Sequence, residues 1–198
     1  MRTRAQAAAE ETSSQKVSNG QNGVLAMSKA RIATWNIVSA RNTRLEKAIR
    51  GMKASNVDIC FLTETKLTDD KFARERDGYV VTATTAASTA QGGVALVHRE
   101  SRAWHLEGVR IFGPNVIRAV LVEGSRKTTM IGAYIPPNET DGATVGWIEK
   151  ACEGDERPKI LLGDLNVRLN SPRDAREVDI ATTMANLGVE SVHEKFRQ

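Results

Sequence analysis

Cysteine is scarce in this chain, and its sequence contains no long apolar segment. The 198 residues include two cysteines, Cys60 and Cys152, and neither lies in the cluster of Cys and His that a zinc site needs. No apolar run approaches the roughly 20 residues of a membrane-spanning helix, and no secretory leader is recognisable. These absences argue against a zinc domain and a membrane-spanning helix, and they predict an intracellular protein in a reducing compartment.

A strong excess of one charge is also lacking. The chain has 28 Lys and Arg against 24 Asp and Glu, which gives a net charge of +4. Apolar residues make up 40% and charged residues 26%, as in ordinary globular proteins. The length suffices for one domain with a buried core. The mild basicity suits a polyanion such as nucleic acid as partner, without requiring one.

The chain divides into two unequal parts. Residues 1–28 are rich in Ala, Ser, Gln, Asn and Gly and show no sustained apolar period, which predicts a disordered leader. Residues 29–198 are expected to form one domain in which strands and helices alternate. Strands are predicted at residues 31–36, 57–64, 78–83, 92–97, 116–122, 128–134 and 160–166, and helices at residues 42–54, 144–152 and 175–187.

The first predicted helix has one apolar and one basic face. Its apolar stripe follows the helical spacing i, i+3, i+4 and i+7 and consists of Leu45, Ala48, Ile49 and Met52. The opposite face is basic and carries Arg41, Arg44, Lys47, Arg50 and Lys53. Such a face is either an ordinary solvated surface or a track for a nucleic-acid backbone, in which case Lys66 and Arg168 near the strand ends would extend it.

The tryptophans read as packing residues. Trp35 lies on a predicted strand between the apolar residues Ile32 and Ile37, which favours a place in the core. Trp104 and Trp147 lie outside any recognisable motif, so we expect them to pack in the interior as well.

The most informative segment is residues 160–166, which reads Ile-Leu-Leu-Gly-Asp-Leu-Asn. Its apolar half predicts a short buried strand, and Asp164 and Asn166 follow at its end. Side chains two residues apart in an extended segment point to the same side. A carboxylate and an amide held together could orient water and hold a phosphate oxygen, as phosphodiester hydrolysis requires. The alternative is a simple turn, in which both side chains bond their own backbone.

Other predicted strands end in a similar way. Asn36 ends the first, Glu64 ends the second, and Tyr134 precedes a Pro-Pro pair that stops the strand before residues 160–166. In α/β sheets ligands bind at the carboxyl ends of the strands. We therefore expect these side chains to share one site with Asp164 and Asn166.

Together these segments resemble the endonuclease/exonuclease/phosphatase superfamily, which includes abasic-site nucleases and the endonucleases of non-LTR retrotransposons. The order and spacing agree from about Ala30 to Leu187. The stretch Tyr-Ile-Pro-Pro-Asn and the Arg-rich segment after Asp-Leu-Asn are most similar to the retrotransposon branch. The matching motifs are Trp35-Asn36, Glu64-Thr65-Lys66, Gly92-Gly93-Val94-Ala95-Leu96-Val97, Tyr134 with its Ile-Pro-Pro-Asn, and Gly163-Asp164-Leu165-Asn166.

The resemblance implies a role for each matching residue. Glu64 would be the principal Mg²⁺ ligand, with Mn²⁺ as the alternative ion, and Asn36 would help to position the metal or a phosphate oxygen. Asp164 would orient and activate the attacking water, while Asn166 and Tyr134 would donate to the scissile phosphate. Mg²⁺ typically takes one or two carboxylates and keeps several waters, so a single Glu at a strand end is a suitable open site.

The sequence departs from the family pattern at two places. The final Ser-Asp-His motif is not found, and the nearest match, Ser191-Val192-His193, has Val in place of Asp. Val38 stands where several family members carry an acid. We therefore expect a DNase I-like α/β sandwich of two mixed sheets flanked by helices that lacks the last strands, so that its inner face is partly exposed.

Three functions remain open at this point. The first is Mg²⁺-dependent nicking of DNA by a retrotransposon-type endonuclease, with a reverse transcriptase domain as partner in the parent element and the nucleus as place of action. The second is a catalytically inactive remnant with at most weak DNA binding, which the missing motif favours. The third is a phosphatase of the same superfamily. The basic helix and the Tyr-Ile-Pro-Pro-Asn stretch favour DNA over small phosphoesters.

Overall fold

The computed structural model describes residues 29–41, 43–68 and 73–190, with backbone alone at 73 and 74. The predicted leader, the first residue of the predicted helix 42–54, and Ser191-Val192-His193 lie outside these ranges. The described part contains nine strands and three helices. In chain order they are β1 (Ile32–Asn36), α1 (Arg44–Ala54), β2 (Ile59–Thr63), β3 (Ala73–Arg76), β4 (Tyr79–Ala83), β5 (Val94–Arg99), β6 (His105–Gly113), β7 (Val116–Glu123), β8 (Arg126–Tyr134), α2 (Ala143–Cys152), β9 (Lys159–Asp164) and α3 (Ala175–Asn186).

The first sheet has the strand order β1-β2-β5-β4-β3. β1 and β2 are parallel, and the other neighbours are antiparallel. Helix α1 makes the crossover that a parallel pair requires. It lays its predicted apolar stripe on the outer face of this sheet, where Ile49 and Met52 are buried beside Leu62 and Val97.

The second sheet has the order β6-β7-β8-β9 and repeats this arrangement at its far end. β6, β7 and β8 form an antiparallel meander, whereas β8 and β9 are parallel. Helix α2 connects the parallel pair, and α3 packs beside it over the outer face, where Ile148, Ile180 and Met184 are buried. α3 starts where the Asp174 carboxylate accepts the backbone N–H of Glu177 at 2.8 Å, an N-cap that satisfies a free amide.

The inner faces of the two sheets form the central core. Phe61 and Leu96 of the first sheet pack against Ile117 and Met130 of the second. The sheets approach closely where Gly132 faces Phe61, since a Cβ atom on Gly132 would lie 2.0 Å from Cδ1 of that ring. Glycine at position 132 therefore sets the distance between the two layers.

This architecture confirms the predicted sandwich of two mixed sheets flanked by helices, and the long apolar segments are found close to their predicted bounds. Two strands were not predicted, β3 and β6. Both are edge strands with many charged or exposed residues, so they lack the apolar alternation that identifies a strand in a sequence. Pairing with β4 and β7 holds them in place.

The prediction that Trp35 belongs to the core is wrong. β1 is an edge strand, and Trp35 is 48% exposed, although its neighbour Ile37 is buried. The other two predictions hold, because Trp104 is buried and Trp147 packs against the core below Gly113. A side chain on an edge strand has a neighbouring strand on one side only, so it can stay exposed. The sequence does not show which strand lies at the edge of a sheet.

Both cysteines are free thiols. Burial inside β2 raises the pKa of Cys60 to about 12, so this thiol stays protonated and packs as a small apolar group. None of the three described helices combines the length and the hydrophobicity that a membrane-spanning helix needs.

The contact between Gly132 and Phe61 gives a direct test of the fold. We expect Gly132→Ala to lower the free energy of unfolding by about 2–3 kcal/mol or more, because the new methyl group overlaps the ring and the sheets must separate. Gly146→Ala in α2 is the matched control, since a Cβ there meets nothing within 4 Å. That change should stabilise the helix by about 1 kcal/mol. Urea unfolding of both variants measures the two effects, and equal stability of both would contradict this packing.

Candidate active site at the strand ends

Four strands deliver polar side chains to one end of the sandwich. Asn36 ends β1, Glu64 follows β2, Tyr134 ends β8 and Asp164 ends β9. In the parallel registers Asn36 pairs with Thr63, next to Glu64, and Tyr134 pairs with Asp164. β1 and β9 also lie close together across the two sheets, so the two parallel pairs meet at this end.

The Asn36 side chain joins the two sheets. Its Nδ2 donates to Glu64 Oε1 at 3.0 Å and to Asp164 Oδ2 at 2.9 Å. Its Oδ1 accepts the backbone N–H of Val38 at 2.9 Å, which orients the amide. One carboxylate from each sheet is therefore held on a single amide nitrogen.

Glu64 is kept ionised by its surroundings. Burial acts to raise the pKa of Glu64, but hydrogen bonds from Asn36, Tyr134 and Lys66, together with the charge of Lys66, outweigh burial and hold the pKa below its ordinary value. Lys66 Nζ lies 3.4 Å from Glu64 Oε2. This lysine was predicted to contact a nucleic-acid backbone, and the structure places it at the carboxylate.

Tyr134 lies underneath Glu64 and is only 2% exposed. Burial, the charges of Glu64 and Asp164, and the hydrogen bond to Glu64 raise the pKa of this phenol, so it stays protonated. The hydroxyl therefore donates to Glu64. Its predicted role as a donor to a phosphate stays a prediction.

Asp164 and Asn166 do not lie side by side in an extended strand, so this part of the sequence interpretation is wrong. β9 ends at Asp164, and Asn166 has a φ of 47°. The backbone N–H of Asn166 donates to Asp164 Oδ1 at 3.2 Å, and Asn166 Nδ2 donates to the Ile135 carbonyl at 3.0 Å. The segment forms the turn that was the alternative, while Asp164 Oδ2 still faces Asn36.

The pairing of β9 with β8 requires glycine at position 163. A Cβ atom at this position would lie 1.8 Å from the carbonyl oxygen of Ala133, and its φ of 144° disfavours other residues. The absence of a side chain lets β9 pair closely with β8. The glycine of the Gly-Asp-Leu-Asn motif thereby brings Asp164 beside Tyr134.

The loops around the site are tied together by Arg176 of α3, which the sequence analysis missed. Its guanidinium donates to the carbonyls of Pro136 and Glu139, both at 2.8 Å, and to that of Asn166 at 3.3 Å. Three carbonyls of two loops thus share one side chain. In the sequence Arg176 is an ordinary charged helix residue, and no motif marks it.

The other basic residues predicted to contact nucleic acid are dispersed. Arg44 Nη1 lies 3.5 Å from the carbonyl of Ile37, close to the site. Arg168 pairs with Glu177 at 3.1 Å and is thus held against α3. Arg41 is exposed on the loop before α1. Lys66 and Arg44 border the site, and Arg168 is turned towards the helix.

The groups that could hold a divalent cation are the carboxylates of Glu64 and Asp164, because Asn36 turns its amide nitrogen towards them and its amide oxygen to the Val38 N–H. No cluster of three or more His, Cys, Asp or Glu suited to a metal occurs in the part of the chain that the structure describes. Two carboxylates nevertheless match the hard oxygen donors that Mg²⁺ or Mn²⁺ accepts, with the remaining positions left for water and substrate oxygens. The residues present fit such an ion.

Comparisons with solved structures find the same fold in other proteins. The endonuclease domain of TRAS1, a telomere-specific non-LTR retrotransposon, matches with a TM-score of 0.65 and 16% identity over 82% of this chain and 74% of that domain. An AP endonuclease from Archaeoglobus fulgidus matches with a TM-score of 0.62 and 23% identity, over 84% and 74% of the respective chains. The catalytic domain of human Nocturnin gives 0.55 and 18%, over 83% and 72%. At identities this low, the likeness in structure shows that these proteins share the fold.

The sequence comparison identifies the family directly. No curated protein sequence matches this chain. The model of the Endonuclease/Exonuclease/phosphatase family, however, matches residues 33–180, a range that contains Asn36, Glu64, Tyr134 and Asp164. The protein therefore belongs to the endonuclease/exonuclease/phosphatase family.

Proposed function

We propose that this protein hydrolyses phosphodiester bonds in DNA with a divalent cation, as a retrotransposon-type endonuclease. The observation that carries the proposal is the pair of carboxylates, Glu64 and Asp164, held by the Asn36 amide at the carboxyl ends of the strands. In the same proposal the parent element supplies a reverse transcriptase domain and the reaction takes place in the nucleus. The structural likeness to the TRAS1 endonuclease domain supports this branch of the family.

Each residue of the site has a task in this reaction. Glu64, kept ionised by Asn36, Tyr134 and Lys66, would hold Mg²⁺ or Mn²⁺ together with Asp164. When bound, such an ion neutralises charge on the phosphate. Asp164 Oδ2 accepts a hydrogen bond from the attacking water and aligns it with the phosphorus. Asn166, on the loop held by Arg176, donates to a phosphate oxygen and thereby stabilises the charge that grows there.

Backbone strain at the site supports a functional role. Four residues other than glycine have positive φ there: Val38 at 62°, Glu64 at 54°, Lys66 at 55° and Asn166 at 47°. A left-handed conformation is costly for residues with a Cβ, and most of all for a β-branched one. Strain of this kind tends to accumulate at functional sites.

A second candidate function is DNA binding without hydrolysis. Among the described residues no histidine lies at the carboxylates, since His98 and His105 belong to the opposite end of the sandwich. Val38 stands where several family members have an acid. Loss of one member of a cooperating catalytic set usually removes most of the rate. The nicking experiment below separates the two functions.

Nicking of supercoiled plasmid in MgCl₂ tests the proposed hydrolysis. We expect nicking by the wild-type protein, its abolition by EDTA, and a loss of about 100-fold or more for Glu64→Ala and Asp164→Ala. Glu100→Ala, an exposed acid at the other end of the molecule, should keep full activity. If folded wild-type protein binds the plasmid but never nicks it, the second candidate function is correct. Mg²⁺ binding itself is measured by the rise in melting temperature with MgCl₂, which the two site variants should lose.

Removing the charge of Lys66 should change the pH dependence of nicking. Lys66 lowers the pKa of Glu64 by a hydrogen bond and by its charge. In Lys66→Met the pKa of Glu64 rises, so the carboxylate is protonated at a higher pH. The acidic limb of the pH–rate profile should therefore shift to higher pH. Lys53→Met on α1 is the matched control and should leave the profile unchanged. An acidic limb at the same pH in both variants would show that Glu64 ionisation does not control the rate.

Relief of strain at Val38 should stabilise the protein. Asn tolerates the left-handed conformation, whereas Val does not, so Val38→Asn should raise the free energy of unfolding by about 1 kcal/mol. Val38→Ala, which keeps a Cβ in the same conformation, should gain less. Thermal or urea unfolding measures both changes. A Val38→Asn variant less stable than wild type would mean that the exposed valine makes contacts that outweigh the strain.

A further inference from the structure

An exposed indole lies directly beside the site. Trp35 is 48% exposed and precedes Asn36 on β1. Side chains alternate along a strand, so Asn36 turns towards Glu64 and Asp164, while Trp35 turns to the other face together with Ala33 and Ile37. Ile37 belongs to the apolar cluster under α1, and Trp35 lies outside this cluster.

The ring is seated on Gly51 of α1. A Cβ atom on Gly51 would lie 3.1 Å from Cζ3 and 3.4 Å from Cη2 of Trp35. The far edge of the indole therefore rests on the helix, which fixes the ring while about half of its surface stays in contact with solvent. A pre-positioned aromatic ring loses little conformational freedom when a ligand stacks on it.

Cations follow the same flank of α1. Arg44, Lys47 and Gly51 are spaced i, i+3 and i+7, so they share the side of the helix that faces Trp35. Both basic side chains are exposed, and Arg44 reaches the Ile37 carbonyl near the site. The acid of this helix, Glu46, is on the opposite flank, where it pairs with Arg76 at 2.9 Å. We refer to Trp35, Arg44 and Lys47 as the Trp35 strip.

We propose that the Trp35 strip binds unpaired nucleotides next to the bond that is cleaved, with a base stacked on Trp35 and phosphates held by Arg44 and Lys47. The proposal rests on the proposed function, because it assumes that the phosphodiester lies at Glu64 and Asp164. An exposed aromatic ring beside cations that follow a backbone is the combination that binds single strands. A polypeptide strand added to the edge of β1 would cover Trp35 but would not use the two cations.

The strip gives the site a preference among DNA substrates. A base inside a duplex is already stacked between its neighbours, so only an unpaired base can lie on Trp35 without a cost in pairing and stacking. The protein should therefore bind a single strand more tightly than a blunt duplex of the same sequence. Cleavage should favour sites at which one strand is unpaired beside the cut.

Fluorescence titration with the oligonucleotide (dT)₁₅ in EDTA tests binding apart from cleavage. Stacking quenches an exposed indole, while the buried Trp104 should be unaffected, so the wild-type signal should fall and saturate. A fluorescein label on the oligonucleotide gives the affinities by anisotropy. We expect Trp35→Leu to weaken binding about 5- to 100-fold and Trp35→Phe to retain most of it. The wild-type quenching decides the question if Trp35→Leu does not fold.

The charged part of the strip has its own matched pair of variants. Lys47→Ala should weaken binding of (dT)₁₅ and lower the slope of log Kd against log salt by about 0.7, the value for one phosphate contact with a single strand. Lys53→Ala, which removes an exposed lysine from the other flank of α1, should have neither effect.

The results separate this inference from the proposed hydrolysis. Wild-type fluorescence that (dT)₁₅ does not quench, or equal affinities of folded wild type and Trp35→Leu, would overturn the strip even if the plasmid is nicked. Equal losses in Lys47→Ala and Lys53→Ala, or a dimer in gel filtration that Trp35→Leu dissociates, would overturn it as well. Trp35-dependent binding without nicking would refute the hydrolysis and the expected preference in cleavage, but it would support the binding of unpaired nucleotides by the Trp35 strip.

Discussion

The arrangement of the site depends on one amide that joins two sheets. Asn36 Nδ2 donates to Glu64 from the first sheet and to Asp164 from the second. Two carboxylates brought this close repel each other unless a donor or a cation lies between them. The amide supplies the donor, the Val38 N–H orients it, and Tyr134 and Lys66 add further donors to Glu64. These donors lower the pKa of Glu64, so this carboxylate stays ionised beside Asp164.

The same contact demands that the sheets fit each other closely. Parallel strands need a crossover, and α1 and α2 provide one for each sheet, so that the ends of β1, β2, β8 and β9 reach the same edge. The distance between layers is set by Gly132 against Phe61, and the pairing of β9 with β8 is set by Gly163 against the Ala133 carbonyl. Two positions without side chains thus determine where the carboxylates of Glu64 and Asp164 lie. Gly132 and Gly163 thus serve both the packing of the sheets and the geometry of the site.

The two sides of the site differ in structure. β1 is an edge strand, and Trp35 is exposed on it beside basic residues of α1. The loops on the other side are held by Arg176, which joins the carbonyls of Pro136, Glu139 and Asn166. Fixed loops on one side and an exposed aromatic and basic surface on the other agree with the proposal that a chain of nucleotides passes the carboxylates.

The main elements and the two acids of the site could be predicted from the order of the amino acids alone. The apolar period predicted α1, β2, β8 and β9, and the motifs at the strand ends identified the site residues Asn36, Glu64, Tyr134 and Asp164. Both signals are local, because they depend on residues close together in the sequence. A local sequence pattern does not give the order of the strands in a sheet. It therefore did not predict that Trp35 is exposed at a sheet edge, or that β3 and β6 form edge strands. The turn at Asn166 and the clamp by Arg176 depend on carbonyls distant in sequence. Only the tertiary structure could decide those, because it alone brings Ile135, Pro136 and Glu139 within reach.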